Sequence, residues 1–463
     1  MSQSFTNKNS KEAAGGITNI SIEGFKSLES ECNIEVRPLT ILAGANSSGK
    51  SSVIQPLLLL KQTLEATYDP GALKLDGPNV KFTNASQIFS RIPGKPEGDS
   101  FTIKLTLDGG ISLANTYGKS SDDVPEILEA TIQENGVPVT FTKTMTREQI
   151  GSFLSNYYEE LGINNVLNIF QLDKSEFFEN LEWSINRDRC FLNFQCKYKK
   201  QSKIEEISWE HSLTCYESNS NISLFDNEIR RLIHVPGFRG NPERHYAITG
   251  IGATFPGTFE HYVATIINYW QKTEDSRLKE LWKAMETLGL TSKVVAQKLN
   301  DIAIELLVSN LPGKGPENNL RSIADVGFGL SQILPVIVAL IAAEPGQLVY
   351  LEQPEIHLHP RATAALGDLL VKAANRGVKV IVETHSDLLL RRVQSLVAEG
   401  KIEPENVKLH WFQLSDNGVT EIGSADMDDA GAYGEDWPED FSDIALDEES
   451  RYLDAAEARL LVR

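Results

Sequence analysis

Cysteine is scarce in this sequence: Cys32, Cys190, Cys196 and Cys215 are the four in 463 residues. So few in so long a chain exclude a disulfide framework and suit a reducing compartment. Cys190 and Cys196 could supply half of a metal site, but no second pair stands at ligand spacing, so ordinary thiols are expected. Long apolar runs are missing as well. No stretch approaches the roughly 18 apolar residues of a membrane span, and the opening MSQSFTNKNSKEAAGG is polar, without the apolar region of a signal peptide. A cytoplasmic protein with no membrane partner is expected. Positive charge is in deficit, with 44 Lys and Arg against 64 Asp and Glu and a formal charge of -20. This balance disfavours a broad phosphate-binding face, so any DNA must meet a local patch or a partner subunit. Lys197, Lys199, Lys200 and Lys203 form the best local candidate, with a merely solvated face as the alternative. No apolar heptad persists for the roughly three or four repeats of a coiled coil, and no internal repeat is apparent.

What is present is a chain with 41% hydrophobic residues, enough for about two or three packed units. After a flexible start, ITNISIEGF and ECNIEVRPLTILAG read as strands, the second ending in a glycine turn. A helix is predicted from Ser51 to about Leu64, kinked at Pro56, where the ring removes a donor and crowds the Ser52 carbonyl. Residues 80 to 232 hold several β-like runs, and 256 to 307 read mostly as helix. From 320 the pattern sharpens into a helix over GFGLSQILPVIVALIAA, a buried strand QLVYLEQ, a helix near 362 to 375 and a second buried strand VKVIVETH. That alternation predicts βαβ units of a mainly parallel sheet. The acidic end, beginning SADMDDAGAYGEDWPED, reads as a solvated tail, with a docking segment as the alternative.

Gly44-Ala45-Asn46-Ser47-Ser48-Gly49-Lys50-Ser51 fits G-x-x-x-x-G-K-[ST] at every fixed position, after an apolar strand and before a helix. In such a P-loop the glycines let backbone N–H groups turn towards phosphate oxygens, and the helix start at Ser51 and Ser52 adds partial positive charge. Lys50 is expected to reach the β- and γ-phosphates of ATP, and Ser51 to give its hydroxyl to Mg²⁺. Glu352, closing the apolar strand LVYLE, is the expected second metal residue, since ligands of open parallel sheets gather at the carboxyl ends of strands.

With Gly44–Ser51, GFGLSQ, LVYLEQPEIHLHP and IVETHSD in this order, the chain resembles the ABC/SMC-like AAA ATPases of the RecF and OLD type, firmly over about 17 to 65 and 320 to 415. A looser likeness over HVPGFRGNPERHY and the acidic, tryptophan-bearing end is to a bacterial branch that includes anti-phage defence components. The resemblance implies an α/β P-loop NTPase with an ABC-type split head, a mixed, mainly parallel sheet and a central α+β insertion. Its expected parts are a flexible 1–16, a head portion 17–80, a β-rich insertion 81–255, a mostly helical 256–319, a second head portion 320–421 and an acidic 422–463.

The resemblance also assigns roles. Gly329 and Ser331, with Gln332 beside them, would cap the γ-phosphate held by a second protomer, implying a homodimer closed over ATP, with higher oligomers open. His385 matches a switch histidine facing the γ-phosphate or attacking water. Gln353 stands where many relatives have a catalytic glutamate; an amide orients water but takes no proton, so slow hydrolysis is expected, with Glu355 as a possible substitute. His357 and His359 are assigned to the dimer seam, a metal pair being the alternative. Arg239 and Arg244 are candidates for phosphate or partner contacts, or for surface salt bridges. The implied function is a slow ATPase switch controlling an effector in phage defence or DNA maintenance. An ATP-gated scaffold without hydrolysis and an OLD-type nuclease are the alternatives.

Overall fold

A computed structural model describes residues 16–120, 124–146, 149, 181–198, 220–310, 319–434 and 450–454. Lys199, Lys200, Lys203, Cys215, the first 15 residues and most of the acidic end lie outside the described residues, as do the side chains of Cys196 and Lys197. Strands β1 (Ile17–Glu23) and β2 (Cys32–Glu35) lead into β3 (Leu39–Gly44) and helix α1 (Lys50–Leu64). Next come β4 (Ser100–Leu107), β5 (Ser112–Lys119), β6 (Pro125–Glu134) and β7 (Val137–Thr142), then the hairpin β8 (Leu181–Asp188) and β9 (Phe191–Tyr198). Helix α2 (Ser220–Arg231) precedes β10 (Ile233–Val235), β11 (Tyr246–Ala247), α3 (Val263–Lys272), α4 (Ser276–Thr287), β12 (Val294–Lys298), β13 (Ala303–Val308) and β14 (Arg321–Ser322). The remainder alternates strictly until its last strand: α5 (Phe328–Ala342), β15 (Leu348–Glu352), α6 (Pro360–Asn375), β16 (Lys379–Thr384), α7 (Asp387–Ala398), β17 (Val407–Leu414) and β18 (Thr420–Ala425).

The site rests on one six-stranded sheet in the order β10-β15-β16-β3-β17-β18. Its first five strands are parallel and β18 turns back antiparallel on β17, as expected of a mixed, mainly parallel sheet. Both β3 and β16 are buried along their whole length, which is why LTILAG and KVIVET carry almost no polar alternation. Successive residues of this sheet feed two cores. Leu39, Ile41, Val349, Leu351, Val380 and Val382 point to the layer of α3 to α7, whereas Leu42, Leu348, Tyr350 and Ile381 point to α1, α2 and a second sheet.

That second sheet is antiparallel, in the order β2-β1-β4-β5-β6-β7. It takes two strands from before the P-loop and four from after it, so it crosses the boundary expected at residue 80. The β-rich stretch is thus continuous with the first head portion through the β1–β4 ladder. Likewise β10, within the expected insertion, is the edge strand of the central sheet. The segment expected to be mostly helical also carries β12 and β13; the inward alternation of AIELLV is the signal of a half-buried strand. Helix α1 runs as one 15-residue helix with Pro56 inside it. It is tied down by Lys61, whose buried ammonium pairs with Glu65 and donates to the carbonyls of Arg230 and Phe255.

One buried histidine gives the fold a pH dependence. His410 on β17 is 1% exposed, donates from Nε2 to the Glu35 carbonyl at 3.0 Å and accepts at Nδ1 from Ser424 Oγ at 2.7 Å. Burial, helped by the charge of Lys408, lowers its pKa to about 4. The unfolded chain takes up this proton near pH 6.5 and the folded chain refuses it until near 4, so stability is full above about 6.5 and falls by up to about 3 kcal/mol as pH drops through that window. Urea unfolding of the wild type should therefore weaken between pH 6.5 and 4 relative to His410→Gln; parallel profiles would contradict the assignment.

Candidate nucleotide site

β3 delivers the chain into a loop that only its own residues can follow. Gly44 and Gly49 have φ of 140° and 101°, and Ser47 between them has φ of 62°. A Cβ on Gly44 would stand 2.2 Å from the Phe412 carbonyl oxygen, and one on Gly49 2.4 Å from Thr420 Oγ1. Both glycines are thus required by torsion and by space. Thr420 also braces the loop from β18, with Oγ1 2.9 Å from the Ser48 carbonyl. Lys50 folds along the loop, its ammonium donating to the carbonyls of Gly44 at 3.1 Å and Ala45 at 2.6 Å. Burial lowers its pKa, with Glu383 opposing.

Asn46 through Ser52 line one wall of a cavity of about 620 Å³, a size that takes a small-molecule ligand. Lys26, Gln55, Phe89 and Arg91 also line it, as do Gln353, Glu383 and His385. Lys26 also lies 4.7 Å from the centre of the Phe82 ring, a cation–π contact that steadies the side chain. His385 titrates below the ordinary range because of burial and then the Lys50 charge, with a hydrogen bond to the Gly44 backbone working the other way.

The carboxylate facing Ser51 is Glu383. Ser51 Oγ lies 3.0 and 2.9 Å from its two oxygens, and Tyr350 OH donates to Oε2 at 2.9 Å. Burial raises the Glu383 pKa, while these two hydrogen bonds pull against it. Glu352, expected at this position, is its cross-strand neighbour. Because β16 lies between β15 and β3, Glu352 stands one strand farther from the loop, on the same face as Glu383, and reaches sideways to β10. His234 Nε2 donates to its Oε1 at 3.0 Å and Gly237 N to its Oε2 at 3.0 Å. Burial pushes the Glu352 pKa up, but His234, Gly237 and Arg239 together hold it below the ordinary value.

The turn after β15 separates the remaining candidates. Gln353 has φ of 42°, a left-handed conformation that costs about 1 kcal/mol or more outside glycine. Its N–H donates to the Glu383 carbonyl at 2.8 Å, and it lines the cavity. Glu355 instead accepts from Thr384 Oγ1 and, at 3.1 Å, from the His385 N–H, and burial raises its pKa. It braces the end of β16 and is not among the cavity-lining residues, so the substitute-base role is not the one this geometry gives it. His357 lies in a turn and His359 is the N-cap of α6, neither on a strand: His359 Nδ1 accepts from Arg361 N, and His357 packs edge-on against Phe328 at 5.5 Å. Among the described residues no group of three or more His, Cys, Asp or Glu is placed to hold a metal.

At the start of α5, Ser331 Oγ donates to the Phe328 carbonyl at 2.9 Å and Phe328 is 42% exposed. Gly329 passes so close to the 357 turn that a Cβ would meet the His357 carbonyl at 2.8 Å. Gln332 points inward and donates to the Gly240 carbonyl at 2.8 Å. Neither Gly329, Ser331 nor Gln332 lines the cavity of its own P-loop. Arg244 is exposed and forks onto Asp325 at 2.6 and 3.1 Å, a surface salt bridge, whereas Arg239 is buried. Sequence reasoning missed Glu383, Tyr350 and His234. The signal for Glu383 was present as a lone carboxylate next to the end of a wholly buried strand.

A P-loop strand separated from the acidic strand by a single intervening parallel strand, in a mainly parallel sheet, is the α/β fold of a P-loop NTPase. Two family models match in succession: one described as "AAA ATPase domain" over residues 16–240, and one described as "AAA domain, putative AbiEii toxin, Type IV TA system" over residues 254–391. No curated protein matches the chain. Among solved structures, an SMC head bound to the C-winged helix domain of ScpA is 12% identical, with 90% of this chain and 99% of that chain covered at a TM-score of 0.48. The SMC head domain from Thermotoga maritima is 13% identical, with 88% and 98% covered at 0.38. A Pyrococcus furiosus Smc head with an extended coiled coil, bound to the C-terminal domain of ScpA, is 12% identical, with 88% and 96% covered at 0.44.

If the Ser51–Glu383 pair is the cation-binding end of the cavity, Glu383→Gln should weaken Mg²⁺-dependent binding of a fluorescent ATP analogue by about tenfold, the effect of losing one charge-assisted contact. Glu355→Gln should change it by less than about threefold. Equal effects of the two substitutions would contradict the assignment.

Proposed function

We propose that this chain binds ATP with Mg²⁺ in the P-loop cavity and works as a slow, nucleotide-gated dimerisation switch that controls a partner effector, in anti-phage defence or DNA maintenance. The observation that carries this reading is the placement of Gly329 and Ser331 on a surface outside their own P-loop cavity. A second copy brought head to head can present that helix start, with its N–H groups and hydroxyl, to the phosphate held by the first.

Within the cavity, Lys50 leaves its loop carbonyls to meet phosphate oxygens, and the loop N–H groups hold them. The Ser51 hydroxyl and Glu383 carboxylate are hard oxygen donors 2.9 to 3.0 Å apart, the donor set that suits Mg²⁺. Bound there, the ion would neutralise charge on the phosphates. Gln353 and His385 border the end of the cavity where a water would attack; both can orient it, and the Gln353 amide cannot take its proton. Slow turnover follows, so a closed dimer would persist.

A scaffold that binds ATP without hydrolysis is the second reading, favoured by Gln353 alone. The nuclease reading needs a clustered carboxylate metal site, and no observation among the described residues favours it. The defence setting rests on the motif resemblance and on the toxin–antitoxin wording of one family description.

Light scattering with and without ATP and Mg²⁺, paired with single-turnover hydrolysis, tests the switch. The mass should double on ATP addition, and Gln353→Glu should hydrolyse faster, towards the about 10²- to 10⁴-fold that a positioned general base contributes. An unchanged mass with ATP bound would remove the switch, and fast wild-type turnover would remove the slow step.

A further inference from the structure

The segment joining β10 to β11 grips two working elements at once. Gly237 N holds the Glu352 side chain. Two residues on, Arg239 is 8% exposed. Its Nη1 donates to the Gln332 carbonyl on α5 at 3.1 Å, and its Nη2 donates to the Glu352 carbonyl at 2.9 Å and reaches the Gln353 carbonyl at 3.4 Å. Gln332 returns the contact through its amide to the Gly240 carbonyl. Burial lowers the Arg239 pKa to about 10, against the charges of Glu352, Glu355 and Glu260, so the guanidinium keeps its charge at neutral pH. Its Nε is buried without a partner, so this cation depends on the main-chain carbonyls at Nη1 and Nη2 and is held only while they stay in place.

The two elements so joined have different duties. Gln353 borders the nucleotide cavity and holds a strained φ that a ligand can relax. The first turn of α5 lies outside that cavity, where it is available to a second copy. A planar fork makes directional bonds to both ends, so a shift of the Gln353 carbonyl either drags α5 with it or breaks the bonds. We infer that Arg239 is a positioning residue that couples nucleotide binding at the Gln353 end of β15 to the first turn of α5. The inference rests on the reading that the P-loop cavity binds ATP.

Hydrogen-exchange mass spectrometry of the full chain, diluted until it is monomeric, tests this with ATP and Mg²⁺ as the probe. In the wild type ATP should slow exchange both in the peptide over 44–52 and in the peptide over 327–336, by about tenfold in each. Arg239→Met should keep the first protection and lose the second. Arg239→Lys should lose most of the second, because one ammonium cannot reproduce the fork. Protection of 327–336 that survives in Arg239→Met, or is missing in the wild type while 44–52 is protected, overturns the coupling. No protection of 44–52 in the wild type overturns the ATP reading itself, and the coupling with it. Should Arg239→Met fail to fold, Arg239→Lys carries the test alone, and wild-type protection of 327–336 in that variant overturns the proposal.

Discussion

Three parallel strands ending at one level are the constraint on which the site depends. The ladder pairs Thr384 with Ala43 and Glu352 with Glu383, so the loop of β3, the carboxylate of β16 and the carboxylate of β15 emerge side by side. Parallel pairing needs crossovers, and α6 and α7 supply them on the face opposite α1. The P-loop is therefore gripped from one side by β16 and from the other by β17 and β18, through the close approaches of Phe412 and Thr420 to its two glycines. A slip of β16 by one residue would turn Glu383 away from Ser51 and destroy the arrangement.

The buried charges around the site are each met by neighbouring groups. Lys50, Glu383, Glu352 and Arg239 lie at or behind the cavity, and each is met by hydrogen-bonding groups that offset the loss of water. The carboxylates divide the work by environment. Glu383 faces the P-loop serine and titrates high through burial; Glu352 faces His234 and a backbone N–H and stays low. The first is poised towards a ligand and the second towards the scaffold.

How much of this was legible in the sequence follows from the range of each interaction. The P-loop was, because Gly44 to Ser51 carry their constraint within eight residues and between two periodic segments. The βαβ run from 320 was as well, since LVYLE and VKVIVET are too apolar to be anything but buried strands. Strand order was not. That Glu383 rather than Glu352 meets Ser51 depends on β16 lying between β15 and β3, and the contact joins residues 332 apart. The shared sheet across residue 80 and the burial of Arg239 arise in the same way from pairings between distant segments. Pro56 reads from sequence as a local disturbance, yet the helix continues through it, with the whole second half of α1 buried against its neighbours.

The most direct measurement is the binding of ATP with Mg²⁺ to the wild-type chain and to Lys50→Ala by titration calorimetry. Saturable binding of one ATP per chain, weakened at least about tenfold when the charge-assisted phosphate contact of Lys50 is lost, is the expected result. Absence of binding in the wild type, or equal binding by both proteins, would contradict the assignment of this loop as a nucleotide site.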